Sequence, residues 1–196
     1  MLGQLFTSPA AFFLELIGII LAIGIHEAAH CYTADYLGDP TPRALGRVTL
    51  NPLAHLDPIG TLMIIVTGAF GWGKPSPFDP YNLKNPQRDT ALISLAGPAS
   101  NLMLAVIFAV ILRLTGTSFV SDLLASLIFL NVNLALFNLI PIPPLDGAKI
   151  FLRTNPFRSQ NSYLWLLLIL LPFFGGQSVA TLVISPISNF ILHFLI

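Results

Sequence analysis

Residues 23–37 read IGIHEAAHCYTADYL. His26, Glu27 and His30 stand inside a segment, from about Ala11 to Tyr36, that is otherwise apolar enough for lipid. On a helix, positions i and i+4 lie one above the other, so both imidazoles can reach one metal ion. Glu27 points about 100° further round the axis. There it can approach a metal-bound water rather than the metal itself. Zinc lowers the pKa of such a water towards ~7, and a neighbouring carboxylate can take its proton. The bland alternative is a set of packing or pore-lining polar groups. In hydrocarbon, however, each ionisable group costs about 3 kcal/mol on insertion scales. Three within five residues require metal, partners or water.

The whole chain places this segment in a membrane. Of 196 residues, 55% are hydrophobic and 9% charged, against about 25% charged in soluble domains. Mean hydropathy is +0.79. Nine basic and nine acidic residues balance, and no basic patch points to nucleic acid. The single cysteine, Cys31, excludes an intrachain disulfide framework. Met1 to Pro42 carries no Lys or Arg, so no cleavable signal peptide is expected.

Further apolar runs cover Ala91 to Leu112 and Leu123 to Ile142. A last run, Ser162 to Ile196, is broken by Pro172, Gly175, Gly176 and Pro186, which predicts two short or kinked helices packed on the others. The expected fold is an all-α polytopic membrane protein of about five transmembrane helices, in one domain over 1–196. A short β or re-entrant region is expected between the first two long helices. Within it, LGRVTLNP (Leu45 to Pro52) alternates like a strand. PIGTLMIIVTGAF is too short to span, since about 13 helical residues cover only about 20 Å of a roughly 30 Å core. It reads as re-entrant or interfacial. Arg43, Arg47, Lys74, Lys84 and Arg88 flank this region, and Lys149, Arg153 and Arg158 follow the third long run. Only Arg113 lies at the other end. The positive-inside rule then turns the middle region towards the cytoplasm.

A catalytic zinc takes three protein ligands and keeps a fourth position open. Asp146, in NLIPIPPLDGAK, is the candidate third ligand, because Pro141, Pro143 and Pro144 unwind the chain just before it. Taken alone, PPLDG reads as an ordinary turn. Topology supports the pairing: if 59–71 is re-entrant, Asp146 arrives on the same side as the histidines. Asn101 can donate to a developing oxyanion or act as interhelical glue with Gly97 and Ser100. His55 is either a polar group at the mouth of the site that contacts substrate or a surface-loop histidine. Val48 lies on the expected strand, whose edge can take an extended peptide.

HEAAH, LAGPASN (Leu95 to Asn101) and NLIPIPPLDG (Asn138 to Gly147) together resemble the site-2 protease family of intramembrane zinc metalloproteases, over roughly residues 15 to 155. The resemblance implies one zinc per chain held by His26, His30 and Asp146, with Glu27 as general base and Asn101 near substrate or oxyanion. It implies transmembrane proteins as substrates, hydrolysed within the bilayer of a multi-pass protein, expected in a prokaryotic cell membrane with the site towards the cytoplasm. No PDZ-like or CBS-like segment is visible. Two rivals remain. A metal-cation transporter needs more carboxylates across the bilayer than Glu15, Glu27, Asp35 and Asp146. An inactive relative that only binds transmembrane partners has no need of an intact HExxH.

Overall fold

The computed structural model describes residues 6–67, 71–115, 119–152, 162–174 and 177–196. Helix boundaries follow the prolines and the polar breaks between apolar runs. Helix α1 (Pro9–Tyr36, 28 residues) begins with proline in its first turn, where a missing N–H costs nothing. A four-residue turn of helix, α2 (Thr41–Ala44), and a 3₁₀ turn at Pro52–His55 follow. Next come α3 (Pro58–Thr67) and a second 3₁₀ turn at Pro80–Asn82. Helix α4 (Pro86–Leu114, 29 residues) again starts with proline, and Asp89 in its first turn suits the positive helix end. Helix α5 (Phe119–Asn138, 20 residues) leads through an unwound turn into α6 (Asp146–Phe151). Helix α7 (Ser162–Leu170) and a two-stranded ribbon, β1 (Pro172–Phe174) with β2 (Gln177–Ser178), precede α8 (Val179–Leu195).

Three helices, α1, α4 and α5, are long and apolar enough to cross a membrane. Two shorter apolar helices, α7 and α8, have 9 and 17 residues. The bundle's surface is apolar: Phe13, Ile17, Leu21, Val106, Val110, Phe129 and Phe190 are exposed. Its interior carries His26, His30, Asn101, Asn131 and Asp146. That inversion suits lipid outside and a polar site within.

Paired contacts fix the helix directions. Asn101 in α4 reaches the carbonyl of Ala22 in α1, while His30, two turns further along α1, meets the carbonyl of Ile93. So α1 and α4 run antiparallel. Helix α5 reverses again, with Asn131 on Asn101, and Ile128 and Val132 packed on Ala105 and Ala109. Ile191, Leu192 and Leu195 of α8 close this cluster.

The segment between α1 and α4 leaves and returns at one place. Buried Asp39 accepts from the Thr41 amide and hydroxyl and from Asn82 Nδ2 at Oδ1, and from the Asp79 amide at Oδ2. Burial alone would raise its pKa; these donors outweigh it and hold the carboxyl below the usual range. Helix α3, ten residues long, covers about 15 Å and falls short of a span.

One expectation is corrected. Residues 46–50 form no strand; they are turn and bend. The Arg47 amide closes a turn onto the Pro42 carbonyl at 2.8 Å, and the Arg47 side chain is buried with Nη2 on the Lys74 carbonyl at 2.7 Å. The apparent alternation mistook an inward, paired arginine for an outward one. Paired extended backbone lies instead between Leu56 and Gly73, beside the Lys74 amide on the His55 carbonyl. Arg153 and Arg158 lie outside the described residues.

This arrangement predicts a labelling pattern in a Cys31→Ala background. Cysteines at Tyr36 and Tyr81, both strongly exposed, react with an impermeant thiol reagent from the same side of the membrane. A cysteine at Leu114 reacts from the other. Opposite-side labelling of Tyr36 and Tyr81 would break the antiparallel pairing of α1 and α4.

Candidate metal centre

One turn of α1 separates His26 from His30, and their rings stand edge to face with centroids 4.7 Å apart. Each Nε2 lies 3.1 Å from the same atom, Oδ2 of Asp146. Both histidines and the aspartate are 5% exposed, and their ligand atoms lie within 4.8 Å of one another. The unwound turn after α5 delivers Asp146. A side chain on Gly147 would strike the Leu139 and Ile140 carbonyls, so that tight approach needs glycine.

The outer nitrogens decide what the inner ones are. His26 Nδ1 meets Asn101 Oδ1 at 2.6 Å, and His30 Nδ1 meets the Ile93 carbonyl at 2.6 Å. Asn101 is oriented independently, because its Nδ2 donates to the Ala22 carbonyl and to Asn131 Oδ1. Asn131 is fixed in turn by donating to the Leu127 carbonyl. Both partners of Nδ1 are therefore acceptors, and each Nδ1 carries the hydrogen. The neutral ring then presents a bare lone pair at Nε2. Two such lone pairs face a carboxylate oxygen, itself an acceptor. With both rings neutral, three acceptors converge with no donor between them, an arrangement that fits a cation. Two imidazole nitrogens and one carboxylate oxygen, each backed by a partner, are a ligand set suited to zinc.

Gly97 keeps the centre open. A methyl group there would lie 2.5 Å from His30 Nε2 and 2.6 Å from His26 Nε2. Lys149, one turn beyond Asp146, holds the other carboxylate oxygen, Oδ1, at 3.1 Å and leaves Oδ2 to the centre. Its ammonium also stands 5.7 Å from the centroid of the Phe78 ring.

The remaining candidates fall at different distances from this centre. Glu27 is half-buried beside it, with Oε2 2.7 Å from Ser76 Oγ. Asn101 sits behind His26 rather than in front of it, fully buried with both amide hydrogens given. His55 does not join the group. It is fully buried in the middle region, with Nε2 on the Thr49 carbonyl at 2.9 Å and Arg47 Nη2 3.5 Å from Nδ1. Burial, with the Arg47 charge added, pushes its pKa down and favours the neutral ring. Val48 is half-buried in the bend. Sequence reasoning missed Asn131, Lys149 and Ser76, and took Gly97 only as a small packing residue. Gly97 lies one helical turn before Asn101 and Lys149 one turn after Asp146, which are readable spacings. Ser76 and the Ile93 carbonyl leave no sequence signal.

The fold and centre define a membrane-type helical protein with a buried two-histidine, one-carboxylate group able to hold a metal ion, next to a glutamate. Comparison with known proteins gives the family. The profile of Peptidase family M50 matches residues 113–164. The "Putative zinc metalloprotease YwhC" of Bacillus subtilis is 43% identical over 145 residues, covering 69% of this chain and 66% of that protein. The "Putative zinc metalloprotease Rip2" of Mycolicibacterium smegmatis is 35% identical over 144 residues, covering 69% and 55%. A third relative, "Putative zinc metalloprotease MJ0611" of Methanocaldococcus jannaschii, is 39% identical over 66 residues, a third of this chain. The matched stretch thus spans just under two thirds of the first relative and about half of the second. No solved structure gives a significant match. The chain belongs to Peptidase family M50, the site-2 protease family.

The open floor at Gly97 carries a prediction. Gly97→Ala relieves a helix glycine, a change otherwise worth roughly 0.5–1 kcal/mol in stability. Its methyl group nevertheless occupies the space between the donors. The variant is expected to fold with unchanged helix content and to lose stoichiometric zinc. Asn101→Ala, which removes only the support of His26, is expected to weaken zinc about 10–100-fold. Full zinc in Gly97→Ala, measured on purified protein, would show that the donors do not share an ion there.

Proposed function

We propose that the chain is a single-domain intramembrane zinc metalloprotease that hydrolyses peptide bonds in transmembrane segments of other proteins. The convergence of His26 Nε2, His30 Nε2 and Asp146 Oδ2, with Glu27 next to His26, carries this reading. Held by these three ligands, zinc supplies a Lewis acid and a water acidified towards ~7. The protein does the rest. Asn101 and the Ile93 carbonyl keep both imidazoles in the tautomer with free Nε2. Lys149 keeps Asp146 turned so that one oxygen faces the centre. Glu27 accepts the proton of the attacking water and returns it to the leaving amine. Gly97 leaves open the space between the two Nε2 atoms. The apolar walls of α1, α4 and α5 exclude bulk water, which strengthens each of these interactions.

The substrates we propose follow from location. A site buried within apolar helices meets the backbone of other membrane segments, and amides become cleavable once such a segment unwinds. Arg43, Lys74, Lys84 and Arg88 gather where α1 ends and α4 begins, while Arg113 stands at the far end of α4. The positive-inside rule then favours a site towards the cytoplasm, and the bacterial and archaeal relatives favour a prokaryotic cell membrane.

The two halves of the site are separable by mutation. Glu27→Gln keeps size and shape but cannot accept the proton. It is expected to keep one zinc per chain and to lose cleavage of a model transmembrane substrate by at least about 10²–10⁴-fold. Asp146→Asn, which replaces an anionic ligand with a neutral one, is expected to lose both zinc and cleavage. Wild-type turnover in Glu27→Gln would sink the proposed mechanism. No cleavage by the wild-type protein would instead favour a relative that only binds its partners.

A further inference from the structure

The segment from Gly73 to Asp79 lies across the site and is anchored at both ends. Upstream, the Lys74 amide donates to the His55 carbonyl at 2.7 Å and the Lys74 carbonyl accepts from Arg47 Nη2 at 2.7 Å. Downstream, Phe78 packs on the cluster of Ala34, Leu83 and Ile93, and the Asp79 amide donates to Asp39. Ser76 sits between these anchors, half-buried. Its Oγ is 2.7 Å from Glu27 Oε2 and 2.9 Å from the Glu27 carbonyl. Cys31, fully buried one turn beyond Glu27, donates its thiol hydrogen to Ser76 Oγ at 3.4 Å.

A hydroxyl has one hydrogen to give. The carboxylate oxygen is the nearer acceptor and the stronger one, so the hydrogen goes to Oε2. The thiol takes up the hydroxyl's accepting side. The result is a directed chain, Cys31 to Ser76 to Glu27. Without it, a glutamate on a helix face samples several rotamers. With Oε2 held from an anchored segment, the side chain has one orientation and Oε1 is left for the proton.

We propose that Ser76 is the positioning residue for Glu27, fixing the rotamer from which the carboxylate accepts the proton. This rests on the protease reading of Glu27. A hydrogen bond to a charged group is worth roughly 1.5–3 kcal/mol, and about 1.4 kcal/mol is tenfold in rate. Ser76→Ala is therefore expected to lower kcat about ten- to hundredfold, with KM and zinc content within about twofold of wild type. Ser76→Thr, which keeps the hydroxyl, restores most of kcat. Because Cys31 is the sole cysteine, its S–H stretching band gives a readout independent of turnover. In metal-free protein that band shifts in Ser76→Ala and returns in Ser76→Thr. Three results overturn the proposal: unchanged kcat in Ser76→Ala, an unmoved S–H band, or a raised KM with faster alkylation of Cys31. The last would mean that Ser76 merely pins the segment down. Glu27→Gln, assayed in parallel, separates failures: wild-type turnover there overturns the protease reading itself, and the role of Ser76 with it.

Discussion

Three acceptor atoms meeting inside an apolar bundle form the constraint from which the rest of this structure follows. Left alone, His26 Nε2, His30 Nε2 and Asp146 Oδ2 would repel one another in a medium where an uncompensated charge costs several kcal/mol. The chain devotes much of its buried polarity to holding them there. Asn101 and Asn131 form a polar seam across α1, α4 and α5. The carbonyl of Ile93 serves His30, and Lys149 serves the oxygen of Asp146 that faces away from the centre. Each of these groups has a defined partner, which limits how far the centre can relax. A cation is what makes the arrangement favourable.

The same constraint explains why the fold was readable in outline. Helix periodicity alone puts His26 and His30 on one face, and three long apolar runs become α1, α4 and α5. The shortness of 59–71 and the place of Asp146 agree on one topology, and the structure brings Asp146 to the histidines. Local pattern failed where a polar residue faces inward. Arg47 counted as an outward strand position, yet it is buried on the Lys74 carbonyl. His55 looked free for the site mouth, yet it is enclosed by Thr49 and Arg47. In both cases the partner is a backbone atom far along the chain or a loop neighbour, and side-chain spacing does not encode it.

Asn101 shows a further limit. An amide early in a membrane helix can serve an oxyanion or a neighbouring helix, and the sequence does not choose between them. Geometry favours the second: its oxygen accepts from His26 and both its hydrogens are given to Ala22 and Asn131. In the proposed mechanism its contribution is indirect, through the tautomer of His26. Gly97 was read only as small. Its actual significance is the space it leaves between the two Nε2 atoms.

The site divides between two kinds of support. The ligands stand on α1 and at the start of α6, braced by α4, elements whose positions are set by packing through the bundle. The glutamate beside them is bonded to Ser76 on an anchored loop. On the proposed reading, metal retention and turnover depend on different hydrogen bonds in this chain. One set runs through Asn101, Ile93 and Lys149, the other through Ser76. That reading expects a change in the loop to slow the chemistry without loosening the ion, and a change in the seam to loosen the ion first.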